Sequence, residues 1–145
     1  MAELPFFFYG TLLDAGVRRA VLGGKAPKRL TPGTLIGWRR FKAVGASFPI
    51  VVADGRGRVA GLLAHDITPA ARALLDAYEG EGYRAERWIV EREDGGRVKA
   101  LVYVPDGSNA VRPSKEAWDP AEWQATHKTA FLAKLKRAKI APRGR

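Results

Sequence analysis

Three phenylalanines and a tyrosine stand in succession at Phe6-Phe7-Phe8-Tyr9 and stop at Gly10. Bulky aromatics in an unbroken run do not suit a solvated element, and the run is too short for a buried helix. It reads as a buried strand, Leu4 to Tyr9, that leaves the core at Gly10. Such a strand needs partners on its edges and covering layers, so the remaining sequence must supply a sheet and something to pack on it.

The sequence offers both. Thr11 to Leu22 reads as a short helix closed by Gly23-Gly24, followed by a polar loop from Lys25 to Pro32. Thr34 to Val44 is β-rich through Leu35, Trp38 and Phe41. Ile50-Val51-Val52 and Arg58 to Ile67 flank Asp54-Gly55-Arg56-Gly57, which predicts a hairpin turn there. The same four residues look like a Gly-rich phosphate loop only superficially, since neither the full spacing nor a following helix is present. Thr68-Pro69 opens a helix with an N-cap and a first-turn proline. Ala71, Leu74, Leu75 and Tyr78 give it one apolar stripe, and Gly80 stops it. Tyr83 to Glu93 and Arg97 to Val104 are two further strands around Asp94-Gly95-Gly96, and Pro105 to Trp118 reads as a loop. Asp119-Pro120-x-Glu122 starts a last helix with Trp123, Ala130, Phe131, Leu135 and Ala138 inward. The order predicts an α+β fold, a small mostly antiparallel sheet or barrel flanked by helices, as a single domain over 1–140 with a basic tail at 141–145.

Composition narrows the chemistry. The 145 residues contain no cysteine, which removes disulfide scaffolds, Cys-ligated metal and thiolate nucleophiles and suits a reducing compartment. No apolar run is long enough to span a bilayer, and Met1-Ala2-Glu3-Leu4-Pro5 lacks the pattern of a signal peptide, so the expectation is a cytoplasmic protein without membrane contact. The net charge is +10, but seven Lys/Arg and no acid fall between His127 and Arg145. Eighteen bases against fifteen acids occupy the rest. The excess is thus a solvated end, expected to be loosely packed from about Lys139, and does not point to specific nucleic-acid binding. The three serines, Ser47, Ser108 and Ser114, form no nucleophile elbow. His65 and His127 have no ligand spacing, so neither a metal nor a cofactor is expected.

Two segments carry chemistry. After Tyr9, Gly10 allows a sharp turn at Tyr9-Gly10-Thr11-Leu12, whose successive N–H groups can form an anion-binding concavity; a plain strand-to-helix turn has the same look. In Leu75-Asp76-Ala77-Tyr78-Glu79-Gly80-Glu81-Gly82-Tyr83, Glu79 falls at a helix C-terminus, where the macrodipole disfavours a carboxylate. If it is also desolvated, its pKa rises toward neutrality, as acid–base catalysis near neutral pH requires. Asp76 has Arg72 at i−4 as a partner.

These two segments, Phe8-Tyr9-Gly10-Thr11-Leu12 and Leu75-Asp76-x-Tyr78-Glu79-Gly80-x-x-Tyr83, resemble the gamma-glutamylcyclotransferase-like family. Phe48-Pro49-Ile50-Val51, Val59-x-Gly61-x-Leu63 and Lys99 to Val104 match its other strands, in order, between Phe6 and Val104. The resemblance implies a small antiparallel barrel flanked by helices, with a cavity between the turn at Gly10 and the glutamate. It implies cofactor-independent release of an amine and 5-oxoproline from a γ-glutamyl amide, the substrate's own α-amine being the nucleophile. Glu79 would be the proton shuttle, and Tyr9, Gly10, Thr11, Leu12, Tyr83 and Tyr103 would bind the substrate. Two positions depart from the family. Ala85 stands where relatives often carry Arg, and Pro113-Ser114 is followed by Trp118 as the aromatic approaching the pocket. The competing expectation is a non-catalytic binding module on the same scaffold. The sequence specifies neither the leaving amine nor the oligomeric state.

Overall fold

A computed structural model describes residues 4–107 and 111–140, the side chains of 139 and 140 excepted. Among them are six strands and four α-helices. In chain order these are β1 (Phe6–Phe8), α1 (Ala15–Leu22), β2 (Leu30–Ala43), β3 (Pro49–Ala64), α2 (Pro69–Glu79), β4 (Tyr83–Arg92), β5 (Arg97–Pro105), β6 (Pro113–Ala117), α3 (Pro120–Thr126) and α4 (Lys128–Ile140). The strands run β3-β1-β5-β4-β2, and β2 pairs again with β3, which closes a five-stranded barrel; β6 adds to β2 outside the ring. All pairings are antiparallel except β1 with β5. The expected α+β class and flanked barrel are the architecture observed.

The aromatic run is buried because β1 has a core on each side. Phe7 points into the barrel with Leu35, Leu63, Val90 and Val102, all at most 2% exposed. Phe6 and Phe8, on the opposite face of the pleat, pack with Val17, Leu75 and Trp123 beneath the helices. Strands buried on both faces carry unbroken apolar runs, which is the pattern at the N-terminus.

Several expectations are corrected. Asp54–Gly57 is not a hairpin turn. Phe41 pairs with Ile50 and Trp38 with Ala53, whereas Ile36 pairs with Arg58, so both halves of β3 lie on the same strand β2. The four residues bulge out against Gly37, itself at φ +89°. The Asp54 carboxylate accepts from the Arg56 N–H at 3.0 Å and from Arg39, which gives the bulge the local look of a turn. A Cβ on Gly57 would meet the Trp38 carbonyl at 2.2 Å, so the backbones approach as only glycine permits. The true reversal is at Val44–Phe48, with Gly45 at φ +76°.

The helix expected over 11–22 is divided: Thr11–Leu13 form a 3-10 turn, and Asp14 then caps α1 by accepting from Val17 N–H. The polar loop after it is shorter than expected, because β2 begins at Leu30. Leu74 is 37% exposed, leaving Ala71, Leu75 and Tyr78 as the inner face of α2. The loop expected over 105–118 contains β6, while 108–110 within it lie outside the described residues. The last helix breaks at His127 into α3 and α4, with Phe131, Leu132 and Leu135 inward and Ala130 and Ala138 exposed. The tail at 141–145 lies outside the described residues; α4 runs to Ile140. No described helix is long and apolar enough to cross a membrane.

Candidate functional site

Where β1 leaves the barrel, the chain turns at Gly10 under three restraints. The Tyr9 hydroxyl donates to the Tyr103 carbonyl at 2.7 Å. The Tyr9 carbonyl accepts from Arg40 Nη1 at 2.8 Å, and the same nitrogen reaches the Ala60 carbonyl at 3.1 Å. In a trans peptide the C=O and N–H point oppositely, so holding the Tyr9 carbonyl also fixes the Gly10 N–H. Gly10 packs on Pro49, where a Cβ would come within 3.1 Å. The 3-10 turn follows: Leu13 N–H donates to the Gly10 carbonyl and Asp14 N–H to the Thr11 carbonyl. The N–H groups that open such a turn receive no acceptor from within it.

Facing this loop is the end of α2. Thr68 caps its start and Gly80, at φ +78°, ends it directly after Glu79. Glu79 is the last helical residue, held against the negative end of the macrodipole, and no ion pair among the described residues reaches it. Burial pushes its carboxyl up from 4.5 to about 7. Tyrosines surround it. Tyr83 is pushed up to about 12 by burial and by Glu79. Tyr9, Tyr78 and Tyr103 are raised chiefly by burial, and Glu79 adds to each shift. The Tyr78 hydroxyl shares a 2.6 Å hydrogen bond with Thr11 Oγ1, tying α2 to the loop.

Between loop and helix is a cavity of about 220 Å³. All seven residues singled out in the sequence line it: Tyr9, Gly10, Thr11, Leu12, Glu79, Tyr83 and Tyr103. The cavity sits where the two cores meet, with Phe7 from the barrel interior and Phe8 and Phe131 from the helical layer completing its apolar walls. It falls below the roughly 300–1,000 Å³ of pockets for drug-sized ligands. Glu79, Tyr83 and Tyr103 also border a wider, shallower groove outside, lined by Asp76, Glu81, Arg84 and Ala85.

Three contributions were not visible in the sequence. Arg40, half-buried and lying over the Trp118 ring at 5.2 Å, is marked by no feature of the sequence. Phe131, not Trp118, is the aromatic that the C-terminal part brings to the cavity; Trp118 is fixed to the Ser47 carbonyl at 2.9 Å. Tyr103 donates its proton to the Asp76 carboxylate, a contact across 27 residues with no local signal. Outside the site, His65 bonds to Thr31 at 2.8 Å, and His127 is exposed at the α3–α4 junction. No three His, Asp or Glu side chains among the described residues gather as a metal site would need.

A closed barrel flanked by helices, with a small cavity between a backbone turn and a half-buried glutamate, defines a class of α+β fold, and comparison with known proteins makes it specific. Residues 6–125 match the family described as gamma-glutamyl cyclotransferase, AIG2-like, and the chain belongs to that family. It is similar to Protein AIG2 C of Arabidopsis thaliana, 29% identical over 127 residues, covering 87% of this chain and 75% of that one. A solution structure of another Arabidopsis thaliana protein superposes with a TM-score of 0.68 at 26% identity, covering 97% and 95% of the two chains. A structure described as a gamma-glutamyl cyclotransferase superposes with a TM-score of 0.62 at 13% identity, covering 98% of this chain and 90% of that one, a likeness of fold.

Proposed function

We propose that this protein cleaves a γ-glutamyl amide by cyclisation, releasing 5-oxoproline and an amine. The observation that carries the reading is Glu79: a carboxyl raised to about 7 by burial, in the same small cavity as Gly10, Thr11 and Leu12. A base poised near the operating pH can take a proton from one nitrogen and return it to another.

In the proposed sequence the substrate's α-ammonium gives a proton to the Glu79 carboxylate, and the freed amine attacks its own γ-carbonyl. A carbon–nitrogen bond forms, and the carbonyl electrons move to oxygen. The N–H groups at the turn from Gly10 to Leu12 stabilise this oxyanion or hold the α-carboxylate. When the oxyanion collapses, the bond to the leaving nitrogen breaks. Two protons leave the α-nitrogen as it goes from ammonium to lactam N–H. Two arrive at the leaving nitrogen as it goes from amide N–H to ammonium, and Glu79 is the carrier. Ring closure is intramolecular, so a snug cavity that folds the glutamyl chain supplies much of the rate. The amine half of the substrate lies toward the outer groove.

The test is incubation of purified protein with a panel of γ-glutamyl amines, with 5-oxoproline quantified by mass spectrometry. Time-dependent 5-oxoproline from at least one substrate, lost in Glu79→Gln, supports the reading. Absence of 5-oxoproline across the panel leaves a binding module on the same scaffold.

A further inference from the structure

The hydroxyl protons around the cavity can be accounted for one at a time. A phenol has one proton and accepts through its oxygen lone pairs. Tyr9 spends its proton on the Tyr103 carbonyl at 2.7 Å. Tyr103 spends its own on Asp76 Oδ1. Both oxygens are left able only to accept. Tyr83, by contrast, makes no hydrogen bond through its hydroxyl among the described residues, and so keeps its proton for a ligand. The site therefore has an accepting side, at Tyr9, Tyr103 and Glu79, and a donating side, at Tyr83 and the turn after Gly10.

Asp76 decides which side Tyr103 belongs to. It is an exposed residue of α2, one helical turn before Gly80, with Arg72 at 3.8 Å and its other oxygen on Tyr103. The exposed ion pair is worth little in stability, so it does not explain why the carboxylate reaches across to β5. A carboxylate only accepts, which orients the Tyr103 proton outward and leaves the oxygen's lone pairs free.

We propose that Asp76 is a positioning residue: by taking the only proton of Tyr103, it makes the Tyr103 oxygen an acceptor that holds the substrate's α-ammonium beside Glu79. This rests on the γ-glutamyl reading above. Without Asp76, the Tyr103 hydroxyl is free to turn its proton into the cavity and meet the ammonium with a donor.

The experiment compares two ligands that differ only in the α-amine: γ-glutamyl-methylamide and its des-amino analogue, glutaric acid monomethylamide. Calorimetry in a Glu79→Gln background, which slows turnover by about 10²–10⁴-fold, measures both in Asp76→Ala, Asp76→Glu, Arg72→Ala, Tyr103→Phe and the Asp76→Ala/Tyr103→Phe double variant. The parent is expected to prefer the amine-bearing ligand by about tenfold or more, the scale of a hydrogen bond to a charged group. Asp76→Ala and Tyr103→Phe should each reduce the preference below about threefold, with no further loss in the double variant. Asp76→Glu should recover part of it. Arg72→Ala should leave it intact, separating the hydrogen bond from the ion pair. Asp76 is exposed and alanine suits a helix, so the variant keeps its fold, which a melting curve checks. Equal weakening of both ligands in Asp76→Ala, or an unchanged preference, overturns the proposal even when the wild-type enzyme makes 5-oxoproline. If the parent shows no preference and wild type makes no 5-oxoproline, the γ-glutamyl reading falls, and this proposal falls with it.

Discussion

Two carboxylates inside this protein have opposite fates. Asp14, only 3% exposed, begins α1, and Glu79 ends α2. Burial pushes the Asp14 carboxyl up, but hydrogen bonds from Lys128 at 2.9 Å, Gln124 at 2.8 Å and the Val17 N–H at 3.0 Å outweigh it and hold the group below its ordinary value. Glu79 has no such partners, and desolvation raises its carboxyl to about 7. The helix dipole favours the first carboxylate and opposes the second. Burial alone therefore does not make a carboxyl reactive. A partnered one ties elements together, here α1 to α3 and α4, while an unpartnered one in a cavity is left free to exchange protons.

The sharpest way to break this contrast is to remove the proton-carrying ability of Glu79. Glu79→Gln should lower 5-oxoproline formation by about 10²–10⁴-fold with a much smaller change in KM. Loss of KM alone, with kcat intact, would make Glu79 a binding group. Asp14 should behave as structure. Asp14→Ala removes the α1 cap and leaves Gln124 and Lys128 without their acceptor, costing about 2–4 kcal/mol in urea unfolding, with activity falling only as the folded fraction falls.

The pH dependence of stability sharpens the same pair. Native Glu79 holds its proton more tightly than the unfolded chain. Its contribution is fully present below about 4.5 and is lost as pH rises to about 7. At 1.36 kcal/mol per pH unit, the loss is of the order of 3 kcal/mol. Glu79→Gln should therefore be more stable than wild type at pH 8 by up to about that amount, and equal to it near pH 4. Asp14 works in the other direction: its contribution is present above 3.8 and is lost as pH falls through its lowered native value. Against wild type at pH 8, Glu79→Gln should melt higher and Asp14→Ala lower, and both differences should shrink as pH falls, the first by about pH 4.5 and the second only below 3.8. Parallel curves would mean that Glu79 is solvated.

How much of this was legible in the sequence follows from which forces are local. β1, the cap at Thr68, the stop at Gly80 and the turn at Asp94–Gly96 are set by residues within a few positions, and the sequence locates them. Asp54–Gly57 failed because an Asx turn in a bulge and an Asx turn in a hairpin share residue types, and only the partner strand separates them. β6 was missed because an edge strand carrying Pro113, Lys115 and Glu116 lacks apolar alternation, which is how edges avoid further pairing. The seven residues that line the cavity were picked out together by family motifs; local arguments alone reached the turn at Tyr9–Leu12, from its backbone N–H groups, and Glu79, from the helix macrodipole. Arg40, Asp76 and Phe131 join the site across 31, 27 and longer stretches of chain, distances at which a single sequence carries no pairing signal.

The smallest expected effect lies on the bond that joins the two halves of the comparison. Thr11 belongs to the turn that leads into Asp14, and Tyr78 precedes Glu79; their hydroxyls meet at 2.6 Å. Thr11 is 7% exposed, so removing its partner leaves a buried hydroxyl short of one hydrogen bond. Tyr78→Phe keeps the ring in the helical core and should cost about 1 kcal/mol. Thr11→Val should cost a similar amount, and the double variant should cost less than the two together, because both remove the same bond. The effect on catalysis follows from position. Loosening the bond lets the turn and the end of α2 move apart, so kcat should fall only a few-fold, about tenfold at most, while the pH at half-maximal rate stays near 7 because the burial of Glu79 is unchanged. A shift of that midpoint toward 4.5 would mean that water had entered and that this hydrogen bond, rather than the aromatic wall, keeps Glu79 dry. Strict additivity in the double variant would mean that Thr11 and Tyr78 act separately, and that the two helix ends are not coupled through this contact.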